Sequence, residues 1–182
     1  QNSDIPLPEK INYIFIIPDG LNISGLYTWG LNFRKITSTC KLLFLNQDSP
    51  LPSELDERDC RRLHSFDSHD TGKVADALEN FAKDFSPEAV IILPSVGDTS
   101  YGASFKLMQR WKPRQIIQPL RVIGTIFGDQ ENPFDVMAHY ESSLSAICGN
   151  SSRIATRLKE KFSSRKNDVF LWNAFVPTMP SG

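Results

Sequence analysis

Ile11-Asn12-Tyr13-Ile14-Phe15-Ile16-Ile17, followed by Pro18-Asp19-Gly20, is the stretch that decides the fold. Its apolar residues run together instead of alternating with polar ones, the pattern of a strand covered on both faces. Pro18-Asp19-Gly20 stops the strand and opens a loop that runs to Gly25. Leu26, Trp29, Phe33 and Ile36 then recur at helical spacing, which predicts a helix over 26–36. A doubly covered strand, a glycine-bearing loop and an amphipathic helix together make the first unit of a parallel α/β sheet.

The same alternation continues outward from this unit. Strands are expected at 42–45, 62–66, 89–93, 120–127, 144–148 and 168–172, with an irregular loop over 46–59. Helices are expected at 73–85, behind a cap at Asp70 or Thr71, and at 101–111, with Phe105 and Met108 inward. Two more follow, one opened by Pro133 and running to Tyr140, one capped by Ser151 or Ser152 and running to Phe162. Right-handed crossovers then place helices on both faces of the sheet. The fold class is α/β: a Rossmann-like three-layer α/β/α sandwich with a mostly parallel sheet, a flavodoxin-like strand order being the alternative. Residues 1–10 read as a polar, proline-bearing lead-in, 11–177 as one domain, and 178–182 as the start of a linker.

Composition excludes several function classes. The 182 residues carry 20 basic and 21 acidic side chains, a formal net charge of -1, with no charge block. That leaves no electrostatic footprint for nucleic acid. No apolar run approaches the roughly 18 residues that cross a bilayer, so no integral membrane segment is expected. Cys40, Cys60 and Cys148 fit no zinc or redox spacing and read as buried free thiols. Free thiols favour a reducing compartment, so the expected location is cytoplasmic, with contact at the inner membrane at most peripheral. His64, His69 and His139 are scattered, and there is neither H-E-x-x-H nor a G-x-S-x-G elbow, so no metal is expected.

Ligands of open parallel sheets sit outside the carboxyl ends of the strands. Four loops qualify. The first, 18–25, offers Gly20, Ser24 and Gly25 for close backbone approach to a phosphate or substrate. Gly20 and Gly25 lie five apart, which is neither dinucleotide-fingerprint nor P-loop spacing. The second offers Ser95, Gly97 and Asp98 to a hydroxylated ligand, and also reads as turn and cap chemistry. The third offers Gly128 and Asp129, Asp129 being the candidate general base or sugar-hydroxyl acceptor. The fourth offers Asn150 and Ser151. Each loop also reads as an ordinary strand-to-helix connection.

Three stretches carry a family resemblance. They are the unit from Ile11 to Ile36; Val122-Ile123-Gly124-Thr125-Ile126-Phe127-Gly128-Asp129 with the helix from Phe134 to Tyr140; and the segment from Leu144 to Leu158. Val169 to Pro177 resembles the crossing into a second domain. The ordered set resembles the N-terminal domain of GT-B-fold glycosyltransferases of the retaining, group 1 type. The resemblance implies a hexosyltransferase that takes a nucleotide-sugar donor and a glycan, lipid or small-molecule acceptor, without cofactor or metal. It also implies a C-terminal, donor-binding domain beyond the residues given, leaving the present domain the acceptor side of the cleft. By position, the loop over 20–25 would approach donor phosphates or acceptor, and Gly128-Asp129 would face the reacting centre. Where many relatives carry a histidine, this chain has Phe127-Gly128-Asp129, and Asn150 stands where a serine is usual.

Two other readings compete. A flavodoxin- or receiver-like regulatory module would follow from the alternating pattern and from Asp19, although a receiver needs clustered acids and Asp19 stands alone. A GT-B-like domain without catalysis would follow from the histidine departure.

Overall fold

The computed structural model describes residues 11–21, 25–36, 39–82, 88–93, 98–111, 120–126, 128 and 131–172. The expected lead-in over 1–10 and linker over 178–182 lie outside them. Seven strands form one sheet in which every neighbouring pair is parallel. They are β1 (Ile11–Ile17), β2 (Cys40–Phe44), β3 (Cys60–Arg62), β4 (Glu88–Leu93), β5 (Leu120–Ile126), β6 (Ala146–Gly149) and β7 (Val169–Leu171). The spatial order is β3-β2-β1-β4-β5-β6-β7. This is the Rossmann-like order, and the flavodoxin-like alternative, 2-1-3-4-5, is not adopted.

Among the described residues six α-helices connect the strands: α1 (Gly25–Ile36), α2 (Ser65–Ser68), α3 (Thr71–Ala82), α4 (Asp98–Trp111), α5 (Glu131–His139) and α6 (Ser152–Lys161). From β1 the chain steps outward through β2 to β3, then returns past β1 to β4 and proceeds to β7. Where the direction reverses, so does the covered face. Trp29 and Phe33 of α1 pack on Phe15, Leu42 and Phe44. The opposite face, with Ile14, Ile16, Ile91 and Val122, carries α3, α4, α5 and α6. A reversal of both direction and face keeps every crossover the same hand. The three-layer α/β/α sandwich is the result.

Local chemistry explains the helix positions. Asp70 Oδ1 accepts from the backbone N–H of Gly72 at 2.9 Å and Lys73 at 3.2 Å, so it caps α3. Ser151 Oγ accepts from Ile154 N at 3.2 Å and caps α6. Gly30 lets α1 approach β1, because a Cβ there would lie 3.0 Å from Ile17 Cδ1 and 3.3 Å from Phe15 Cδ1. Burying each large apolar side chain contributes about 1.5–3 kcal/mol relative to exposure, and the residues with continuous apolar runs supply most of that core.

Three expectations are corrected. Residues 62–66 are not a strand: β3 ends at Arg62, and Ser65–Ser68 is helical. Asp48 accepts from Ser65 N at 2.9 Å and Ser65 Oγ at 2.6 Å, and Ser68 Oγ donates to the carbonyl of His64 at 2.8 Å. Those bonds turn the backbone away from the ladder. The loop before α4 is shorter than expected, because the helix begins at Asp98 and takes in Thr99 and Ser100. Along α4, Met108 is partly buried, but Phe105 faces outward; Tyr101, Ser104 and Leu107 point to the sheet. The small side chains of Ala103 and Ser104 bring the helix close, and Phe105 is left at the rim beside Tyr140, ring centroids 6.3 Å apart.

Candidate functional site

Parallel strands all end on one edge, so the carboxyl ends of β1, β4, β5 and β6 stand side by side. Between β1 and β4 the strand order changes direction, which is where open sheets of this kind bind ligands, in the crevice outside the strand ends. The residues singled out from sequence distribute along this edge. Gly20 follows β1, Gly25 opens α1, Asp98 opens α4, Gly128 follows β5, and Asn150 and Ser151 follow β6. Ser24, Ser95, Gly97 and Asp129 lie outside the described residues.

The two ends of this row are built differently. Gly20 is buried at φ 61°, the left-handed region that favours glycine. A Cβ there would come within 2.5 Å of Gln47 Oε1 and 3.2 Å of the Asn46 carbonyl. Gln47 Oε1 accepts from Leu21 N at 2.9 Å, and Asn46 Nδ2 donates to the Pro18 carbonyl at 2.8 Å. The loops leaving β1 and β2 are therefore stitched together, and Gly20 is the residue that admits the stitch.

Gly128 is exposed, and a Cβ on it would meet nothing within 4 Å. Beside it, Asn150 N donates to the Ile126 carbonyl at 3.2 Å. Asn150 Oδ1 is buried and has no hydrogen-bond partner among the described residues. Gly149 lets α6 descend onto β6, because a Cβ there would sit 2.9 Å from Ala155 N. Ser151 is occupied as the cap of α6. The β5–β6 end of the edge thus offers an open glycine, a carboxamide and a helix start within one strand spacing.

No known protein family's profile matches this chain, and no curated protein matches it in sequence.

Sequence reasoning missed a polar cluster at the exits of β2 and β3. Asp48 holds Ser65 as described, and His64 Nδ1 lies 3.6 Å from Asp48 Oδ1. Arg62 Nη1 donates to the carbonyls of Gln47 and Asp48, both at 3.2 Å, and stands 3.3 Å from His64 Nε2. The Ser65 hydrogen bonds hold the Asp48 carboxyl below its ordinary range, with the His64 charge a smaller influence. The available signal was His64-Ser65-Phe66-Asp67-Ser68, a run with two serines and an aspartate and no two-residue apolar period. A groove of about 1010 Å³ opens along the same edge, between β3 and the loop 50–57. It is not at the crevice: β2 stands between β3 and β1. Among the described residues no group of three His, Cys, Asp or Glu side chains is placed to hold a metal ion. No helix among them is long and apolar enough to cross a membrane.

Proposed function

We propose that this chain is the acceptor-side, N-terminal domain of a retaining GT-B-fold glycosyltransferase. The full-length protein moves a hexose from a nucleotide sugar to a hydroxyl of its acceptor. The donor is held mainly by a second domain beyond Gly182, and this domain binds the acceptor and forms one wall of the cleft. The observation that carries the reading is the row of small and polar residues at the strand exits on either side of the crevice, from Gly20 to Gly128 and Asn150. Such a row presents backbone donors, a carboxamide and little bulk, which suits a hydroxyl-rich ligand. The ordered resemblance of the three stretches adds to it.

In this reading Asp129, next to the open Gly128, accepts the acceptor's hydroxyl proton or orients that hydroxyl. The loop over 20–25, with Ser24 and Gly25, approaches the donor phosphates or the acceptor, with Gly20 as its buried anchor; Ser95, Gly97, Asp98 and Asn150 bind hydroxyls, and Ser151 holds the start of α6. The natural gene, read past the codon for Gly182, tests the two-domain arrangement. A second α/β domain's worth of residues, on the order of 150, is expected. A stop codon within a few residues of Gly182 would overturn it.

A further inference from the structure

The far edge of the sheet is not explained by the crevice. There the β3 groove has apolar walls from Leu51 and Pro52 and polar ones from Glu54 and Arg62. Arg62 joins it to the polar cluster, because Arg62 lines the groove and its guanidinium reaches His64. Two residues beyond His64 stands Phe66, 86% exposed.

An exposed phenyl ring forgoes the stabilisation of burial, yet the turn that carries it is firmly held. Asp48 fixes its start through Ser65, and Ser68 Oγ bonds the His64 carbonyl while accepting from Asn46 N at 2.7 Å. The ring is presented, not left over from fraying. Its surroundings discriminate between partners. The other exposed large hydrophobics among the described residues are Phe105, on α4, and Phe170 and Leu171, on β7 at the opposite edge. Phe66 therefore has no contiguous apolar patch of the kind that forms a protein interface core. Asp48, Asp67 and Asp70 outnumber the Lys73 ammonium at the ring and so oppose an anionic lipid surface. A flat ring with the Lys73 ammonium 5.9 Å from its centroid and the Lys73–Asp67 ion pair at its border suits a saccharide. The C–H face of a pyranose stacks on the phenyl, while its hydroxyls take hydrogen bonds from and give them to the rim.

We infer that the β3 edge is a saccharide-binding surface, with Phe66 as its stacking platform and the groove beside Arg62 taking further sugar units. Only its role rests on the transferase reading. β3 lies two strand spacings, about 10 Å, from β1, so the surface would hold the non-reacting end of an oligosaccharide acceptor whose other end lies in the crevice.

The test is a titration of the ¹⁵N-labelled chain with cellotetraose, maltotetraose, mannotetraose and chitotetraose. At least one should shift the amide resonances of 61–70 and 50–57. Phe66→Ala should weaken that binding about tenfold, whereas Phe66→Tyr, which keeps the ring, should retain it. Shifts with none of the four, shifts confined to other segments, or unchanged binding by Phe66→Ala would overturn the inference. So would the same shifts produced by uridine or by phosphatidylglycerol vesicles. In the natural full-length protein, Phe66→Ala should raise the acceptor KM and leave kcat unchanged. Transfer with an unaltered KM would overturn the inference and leave the transferase reading standing. Saccharide binding without transfer would do the reverse.

Discussion

Trp172, the residue after β7, packs edge-on against Trp29 of α1, ring centroids 4.6 Å apart and planes at 78°. Its ring also meets Phe33 at 5.3 Å, and Trp29 meets Phe15 at 5.0 Å. The last strand of the sheet is thereby tied to the first helix. Aromatic pairs of this geometry contribute about 0.5–1.5 kcal/mol beyond the area they bury. Trp172→Ala should lower stability by roughly 2–4 kcal/mol and remove a near-ultraviolet circular dichroism band from the coupled indoles. An unchanged band would mean that the two rings do not meet in solution.

Tyr101 leads to a change of the opposite sign. Its hydroxyl is buried without a partner among the described residues and fits against Gly124, where a Cβ would lie 2.9 Å from the Tyr101 oxygen and from Met137 Cε. An unsatisfied buried hydroxyl costs about 1–3 kcal/mol. Tyr101→Phe should therefore leave the protein as stable or raise its urea midpoint. Gly124→Ala should destabilise it, and less so in the Tyr101→Phe background, because one of the two colliding atoms is gone. Additive effects would contradict the contact.

Gly20 and Gln47 should behave as a pair for a different reason. Gly20→Ala forces a side chain into positive φ and against Gln47 Oε1, so a loss of about 1–3 kcal/mol is expected. Gln47→Ala clears the space but leaves Leu21 N without its acceptor. The double variant should then fall short of the sum of the two losses, as chemical denaturation would show.

Burial pushes the Cys148 thiol up to about 11 from 9.0, and it pushes the Tyr101 phenol up from 10.0 as well. In both cases the folded state keeps a proton that the unfolded state releases first. The stabilisation is complete below the unfolded values and is lost as pH rises. From neutral pH, stability should be flat up to about pH 9 and fall by on the order of 2 kcal/mol as pH approaches 11. Cys148→Ala should flatten the first part of that fall. Cys40, Cys60 and Cys148 are all buried, so a maleimide should label them only as fast as the fold opens.

Legibility followed burial. β1, β2 and β4 are continuous apolar runs because both faces are covered, and such runs stand out in one sequence. β3 did not, because an edge strand of three residues buries only Cys60. Phe66 reads as a strand residue for a related reason: an aromatic residue three positions after Leu63 resembles the end of a short strand, and only the Asp48 and Ser68 hydrogen bonds show that it sits on a turn. Gly20 could be seen as a glycine in a loop, but its partner Gln47 lies 27 positions away, across a contact that only the β1–β2 pairing creates. Strand order was illegible for the same reason, since it depends on which face each crossover takes. Gly128 and Asn150 were legible as loop residues, and their adjacency came from the β5–β6 register, Ile126 opposite Gly149.

The most direct measurement is donor turnover by the natural full-length protein across a panel of uridine-, guanosine- and adenosine-diphosphate sugars, each with its cellular lipid and glycan fractions as acceptors. The expected result is release of nucleoside diphosphate with transfer of the sugar in its original anomeric configuration, reduced about a hundredfold or more by Asp129→Ala. Release no faster than in the protein-free control, for every donor and acceptor, would contradict the transferase account.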